Sequence, residues 1–177
     1  MKKMKVFVLL LSSILFVTAC VSQSKKDVEL YLRDNPLGSS QEDVIRNEEE
    51  KGYKDYEEAN EDTQSSIQYA VKDDQDDIDI GEKVTHYSYI FDEIDNQKSS
   101  LIALIYNFKY GNDVVENMTK KLTENFGEEE EYSDDYFKVW YTDDAIVLLE
   151  ETPGIAIDLS IIEDNDGERR EAFEKSN

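Results

Sequence analysis

The alternation of apolar and polar positions sets out most of the elements. Ile67, Tyr69 and Val71 alternate with Gln68, Ala70 and Lys72, which predicts a strand with one inward face. Tyr87, Tyr89 and Phe91 share one face of a second run, with His86 and Ser88 on the other. In a third run Ile102, Leu104, Tyr106, Phe108 and Tyr110 form one continuous apolar face, while Leu101, Ala103 and Ile105 make the opposite face apolar at its start. A strand that is apolar on both faces belongs at the centre of a sheet. The stretches 73–79 and 95–98 between these runs read as turns.

The period then changes. Val115, Met118, Leu122 and Phe126 recur at three- and four-residue spacing, which predicts a helix opened by Asn112 as N-cap and closed at Gly127. Strands follow over 136–141, over the apolar run 145–149, and where Ile155, Ile157, Leu159 and Ile161 alternate. Near the start, Ser39 followed by Glu42 fits a capping box for a first helix that turns Val44 and Ile45 inward. The acidic, tyrosine-bearing stretch 48–62 sets no firm helix end. The order is helix, three strands, helix, three strands. That is an α+β class, an antiparallel sheet with its helices packed on one face.

The first twenty residues obey a different rule. Lys2, Lys3 and Lys5 precede an uncharged, mostly apolar run over 6–17, and Val17, Thr18, Ala19 and Cys20 follow. This is the three-part layout of an export signal. The fourteen residues from Val6 to Ala19 fall short of the roughly 20 that a spanning helix needs. The close of the segment, Val17-Thr18-Ala19-Cys20, resembles the bacterial lipobox. That resemblance implies a diacylglycerol thioether on the Cys20 thiol, cleavage before Cys20 and incorporation of palmitate. The mature chain is then expected outside the cytoplasm, lipid-anchored to the cell membrane. On this reading 1–19 is a signal peptide, 20–36 a tether broken at Asn35-Pro36-Leu37-Gly38, 37–163 one α+β domain and 164–177 a polar tail.

Charge narrows the partners. Cys20 is the only cysteine, so no intrachain disulfide forms, and Cys20 to Asn177 makes 158 residues, enough for one core. Losing the three signal lysines takes the formal charge from −23 to −26. Such a surface repels nucleic acid and anionic polymers. A partner held by charge is expected to be a cationic protein or peptide.

Candidate chemistry is thin. Asp73, Asp74, Asp76, Asp77 and Asp79 suggest calcium, but an EF-hand loop starting at Asp73 would need Gly and Glu where Ile78 and Val84 stand. Asp164, Asn165, Asp166 and Gly167 lack the distant glutamate as well. His86 is the only histidine and no Gly-x-Ser-x-Gly elbow occurs, so it reads as a surface residue. No catalytic residue, metal or cofactor is assigned. Among Tyr132, Tyr136, Trp140 and Tyr141 both faces of one strand are aromatic, so some are expected to be exposed. Trp140 and Tyr136, rimmed by acids, are the candidate protein-binding residues.

The stretch Leu37-Gly38-Ser39-Ser40-Gln41-Glu42-Asp43-Val44 resembles the opening of many small exported bacterial domains. A helix ending in Phe126-Gly127, a strand carrying Trp140 and the run 146–149 add to this. Together they resemble the fold of the β-lactamase inhibitory protein and of small outer-membrane-assembly lipoproteins, over 37–162. A second helix of that fold is missing near 53–62. The resemblance implies a protein-binding or scaffold role; the alternative is a cell-envelope enzyme, or its accessory subunit, acting on wall material.

Overall fold

The computed structural model describes residues 28–61, 63–71, 82–94, 98–111, 113–130, 136–164 and 167–176. The lipobox with Cys20, the 73–79 turn, most of the 95–98 turn, Asn112 and Tyr132 lie outside the described residues. Hairpin-linked runs of alternating residues give strands β1 (Glu57–Glu61), β2 (Gln64–Ala70), β3 (Val84–Ile94), β4 (Lys98–Phe108), β5 (Phe137–Tyr141), β6 (Ala145–Thr152) and β7 (Ala156–Glu163). They pair antiparallel in a single sheet of order β1-β2-β3-β4-β7-β6-β5. The strand that is apolar on both faces, β4, is the middle one, as its composition requires.

Register separates the two faces. On one, Ile67, Tyr89, Leu104, Ile161 and Val147 face one another across successive strands, as do Tyr69, Tyr87, Tyr106 and Leu159. Helices α1 (Gln41–Glu50) and α2 (Val114–Phe126) cover this face, adding Val44 from α1 and Val114, Met118, Leu122 and Phe126 from α2 to one core. Leu122 and Ile157 are fully buried there. Leu122→Ala or Ile157→Ala should each lower the unfolding free energy by about 2–4 kcal/mol in denaturant titration; changes near zero would mean that these faces are misassigned.

The class stands, but the order has four strands before α2 and a third helix at the end. β1 occupies the acidic stretch where no element was set. Its residues Glu57 to Asn60 are all exposed, so it carries no apolar face to betray it. The first helix is capped one residue later than expected. Ser40 Oγ accepts from the Asp43 amide at 3.2 Å, because Ser39 Oγ donates to the Pro36 carbonyl instead and the Ser39 carbonyl accepts from Leu101 N. Asp113 takes the N-cap position of α2 without a side-chain bond, and Gly127 closes that helix with a positive φ of 94°.

Both ends of the domain extend further than the sequence suggests. A 3-10 turn over Val28–Tyr31 buries Val28 and Tyr31, and Leu32, Arg33 and Asn35 follow them inside. Residues 28–36 are thus part of the folded domain rather than of a tether. At the other end, α3 (Glu168–Ser176) occupies the expected polar tail. Its Arg170 amide donates to the buried Asp164 carboxylate, and its guanidinium reaches Asp164 and the Thr142 carbonyl while lying over the Tyr141 ring at 4.2 Å. Tyr141 belongs to the face opposite α1 and α2, so the helices are not confined to one side.

Candidate functional site

Two polar constellations stand out, one sealed and one open. The sealed one centres on Glu48, whose side chain has no exposure. Helical spacing puts Glu48 one turn after Val44, on the buried side of α1. Its carboxylate accepts from Arg33 Nη2 at 2.9 Å, Asn35 Nδ2 at 3.0 Å, and the hydroxyls of Tyr87 and Tyr89 at 2.7 Å each. Lys51 Nζ lies 3.3 Å away.

Arg33 and Asp34 hold φ values of 53° and 59°, the left-handed region. That conformation is costly for residues with a Cβ, and here it turns the Arg33 guanidinium beneath the helix. The guanidinium lies 4.0 Å from the Tyr87 ring centroid. Burial works against both charges. For Arg33 the hydrogen bond and charge of Glu48 more than offset it, and its pKa rises. For Glu48 the Arg33 bond and charge, then the two tyrosine hydroxyls, hold the carboxyl below its usual range. Burial, with Glu48 nearby, pushes Tyr87 and Tyr89 well up. This site is closed to solvent, so it meets no substrate. It fastens residues 33–35, α1 and β3 together.

The open constellation lies on the other face of the sheet. Pairing runs Gln68, Ser88, Ile105, Ser160 and Leu148 across it, and beside them Ala70, His86, Asn107, Asp158 and Glu150. Under β5 and β6 this face is apolar, with Val139, Tyr141 and Ile146 buried. From β1 to β7 it is wet. A shallow groove of about 360 Å³ crosses there, with Ile90 and Ile105 in its floor, Glu57 at one end and Asp158 at the other. A neighbouring hollow of about 260 Å³, sharing Glu57 and Gln68, continues it to Asp55, Tyr56 and the exposed His86. Four strand spacings of about 4.8 Å put Glu57 and Asp158 roughly 19 Å apart. That far exceeds the roughly 5–9.5 Å separating the paired carboxylates of glycoside hydrolysis. Among the described residues no group of three or more His, Cys, Asp or Glu side chains is placed to hold a metal, and no helix is long and apolar enough to cross a membrane.

The expected binding residues are parted. Trp140 pairs opposite Val147 on the core face, is 1% exposed, and donates through Nε1 to the Gly127 carbonyl at 3.1 Å. It anchors β5 beneath the end of α2 and presents nothing to a partner. Tyr136 is 56% exposed and stands just before β5. The acidic groove was not readable as a site, because its members sit on five strands and none forms a local motif. Comparison with protein-family models, with curated proteins and with solved structures found no match in any of the three.

Proposed function

We propose that the protein is a lipid-anchored, extracytoplasmic binding or scaffold module that recruits a cationic protein or peptide through the open face of its sheet. The observation behind this reading is the groove from Glu57 to Asp158: a carboxylate at each end, serine, glutamine and asparagine between them, and isoleucine in the floor. Acidic ends attract a basic chain over distance, and half-buried isoleucines give it an apolar seat once it arrives. The shallowness and the spread of the carboxylates suit a binding surface better than wall-hydrolysing chemistry.

The anchor and the partner are tested separately. Cys20→Ser should abolish palmitate labelling and leave uncleaved precursor; unchanged labelling would refute the anchor. Residues 21–177, immobilised, should capture basic proteins from envelope or host extracts, with association slowing steeply as salt shortens the screening length below ~8 Å. The triple reversal Glu57→Lys, Glu58→Lys and Asp158→Lys should lose that capture. Capture indifferent to both salt and reversal would make the acidic face a solubility device.

A further inference from the structure

We propose that the partner enters as an extended basic segment that pairs its main chain with the free edge of β1, adding an eighth strand to the sheet. This rests on the cationic-partner reading above and specifies its geometry. An antiparallel sheet of seven strands has two edges, and they differ here. At β5, the chain's own residues cover the edge: Glu130 N donates to the Val139 carbonyl at 2.9 Å. β1 pairs with β2 on one side, and among the described residues no backbone hydrogen bond reaches it from the other, although the Gln41 side chain of α1 donates to the Glu58 carboxylate at 3.4 Å. An edge strand left open presents a row of unpaired N–H and C=O groups that templates another strand.

Charge selects the occupant. Over 53–61 the chain holds Asp55, Glu57, Glu58 and Glu61 against one base, Lys54. Because side chains alternate, Glu57 stands on the groove face with Gln68 while Glu58 pairs opposite Ile67, so an incoming strand meets a carboxylate on either side. A second copy of this chain would set glutamate against glutamate, which disfavours edge-to-edge self-association. A lysine- or arginine-bearing strand meets opposite charge at Glu57 and Glu58, and its groove-side residues extend toward Gln68 and Ser66, which line the same depression.

The probe is a synthetic peptide alternating lysine and threonine, set against the same peptide with alternate backbone amides N-methylated. Both carry the same charge, but the second cannot complete a strand ladder. With the purified protein, the first peptide should bind at least about tenfold more tightly, the effect of losing one or two net hydrogen bonds. Its binding should slow hydrogen exchange at the amides of residues 57–61. Glu57→Lys with Glu58→Lys should abolish binding. Equal binding of both peptides, or binding without protection at β1, would overturn edge pairing while leaving the cationic-partner reading intact. Failure of both peptides to bind at low salt would overturn both.

Discussion

Glu48→Gln should lower the unfolding free energy by about 3–5 kcal/mol in denaturant titration followed by Trp140 fluorescence. The substitution keeps the shape of the side chain but removes its charge. The Arg33 side chain, 3% exposed, is then left buried with no opposite charge of comparable closeness. One of the two oxygens that accept from Tyr87 and Tyr89 also becomes an N–H donor. Arg33→Met should also destabilise, though by less, because the buried Glu48 carboxylate loses its closest counter-ion and keeps only the partly exposed Lys51 at 3.3 Å. Replacing both, Arg33→Met with Glu48→Leu, should cost clearly less than the two single losses together, because no lone charge remains inside. If the singles add, the pair is not the coupled unit described above.

The same site sets pH dependence at both ends. The folded-state pKa of Glu48 lies below its ordinary 4.5, so its stabilisation is fully present above 4.5 and is lost as pH falls through the lower folded value. Tyr87 and Tyr89 are shifted up from an ordinary 10.0, so the fold favours their neutral form, and that contribution is present below pH 10.0 and lost as pH rises beyond it. In Glu48→Gln the part of the acid limb due to this group should disappear.

What the sequence revealed of this fold follows from which residues need two environments. β2, β3, β7 and α2 are legible because each has one face in the core and one outside it, so burial writes a period of two or 3.6 into the chain, and β4 is legible as a run apolar on both faces. β1 and α3 are not. Glu57 to Asn60 are exposed on every side, and α3 is polar all round apart from Phe173, held by Arg170 to Asp164, Thr142 and Tyr141 rather than by an apolar stripe. Trp140 misleads for the opposite reason. Val139 and Tyr141 beside it are buried on the other face, so β5 is apolar on both faces and the composition cannot say which aromatic is outside.

Glu48 hides in plain sight, as the first of three consecutive glutamates. Two signals point to it. Its place four residues after Val44 puts it on the inward side of α1, and the pair Tyr87 and Tyr89, predicted to be core, brings two hydroxyls that need an acceptor. A buried tyrosine pair therefore asks for a buried acceptor, which a carboxylate on the inward side of α1 can supply. Its counter-ion could not be found in the same way, since Arg33 sits in a segment whose polar and helix-breaking residues describe a linker equally well.

That segment carries the largest expected effect of all. A chain beginning at Leu37 and ending at residue 163, the limits that sequence patterning suggests, should fail to show a cooperative unfolding transition, whereas one spanning 28–176 should show it. Removing residues 28–36 takes Val28, Tyr31 and Leu32 out of the core, each at most 7% exposed and each worth about 1.5–3 kcal/mol in apolar burial. It also deprives Tyr106 of the Tyr31 carbonyl, its acceptor at 2.6 Å, and Asn125 of the Tyr31 hydroxyl. Above all it strips Arg33 and Asn35 from Glu48, so the buried carboxylate keeps the two tyrosines and the partly exposed Lys51. The sum reaches or exceeds the 5–15 kcal/mol by which domains of this size are typically stable. Circular dichroism and near-ultraviolet spectra of the two chains decide the matter. If the chain starting at Leu37 melts as sharply as the longer one, residues 28–36 are only laid on the domain, and the Arg33–Glu48 bridge does not hold it together.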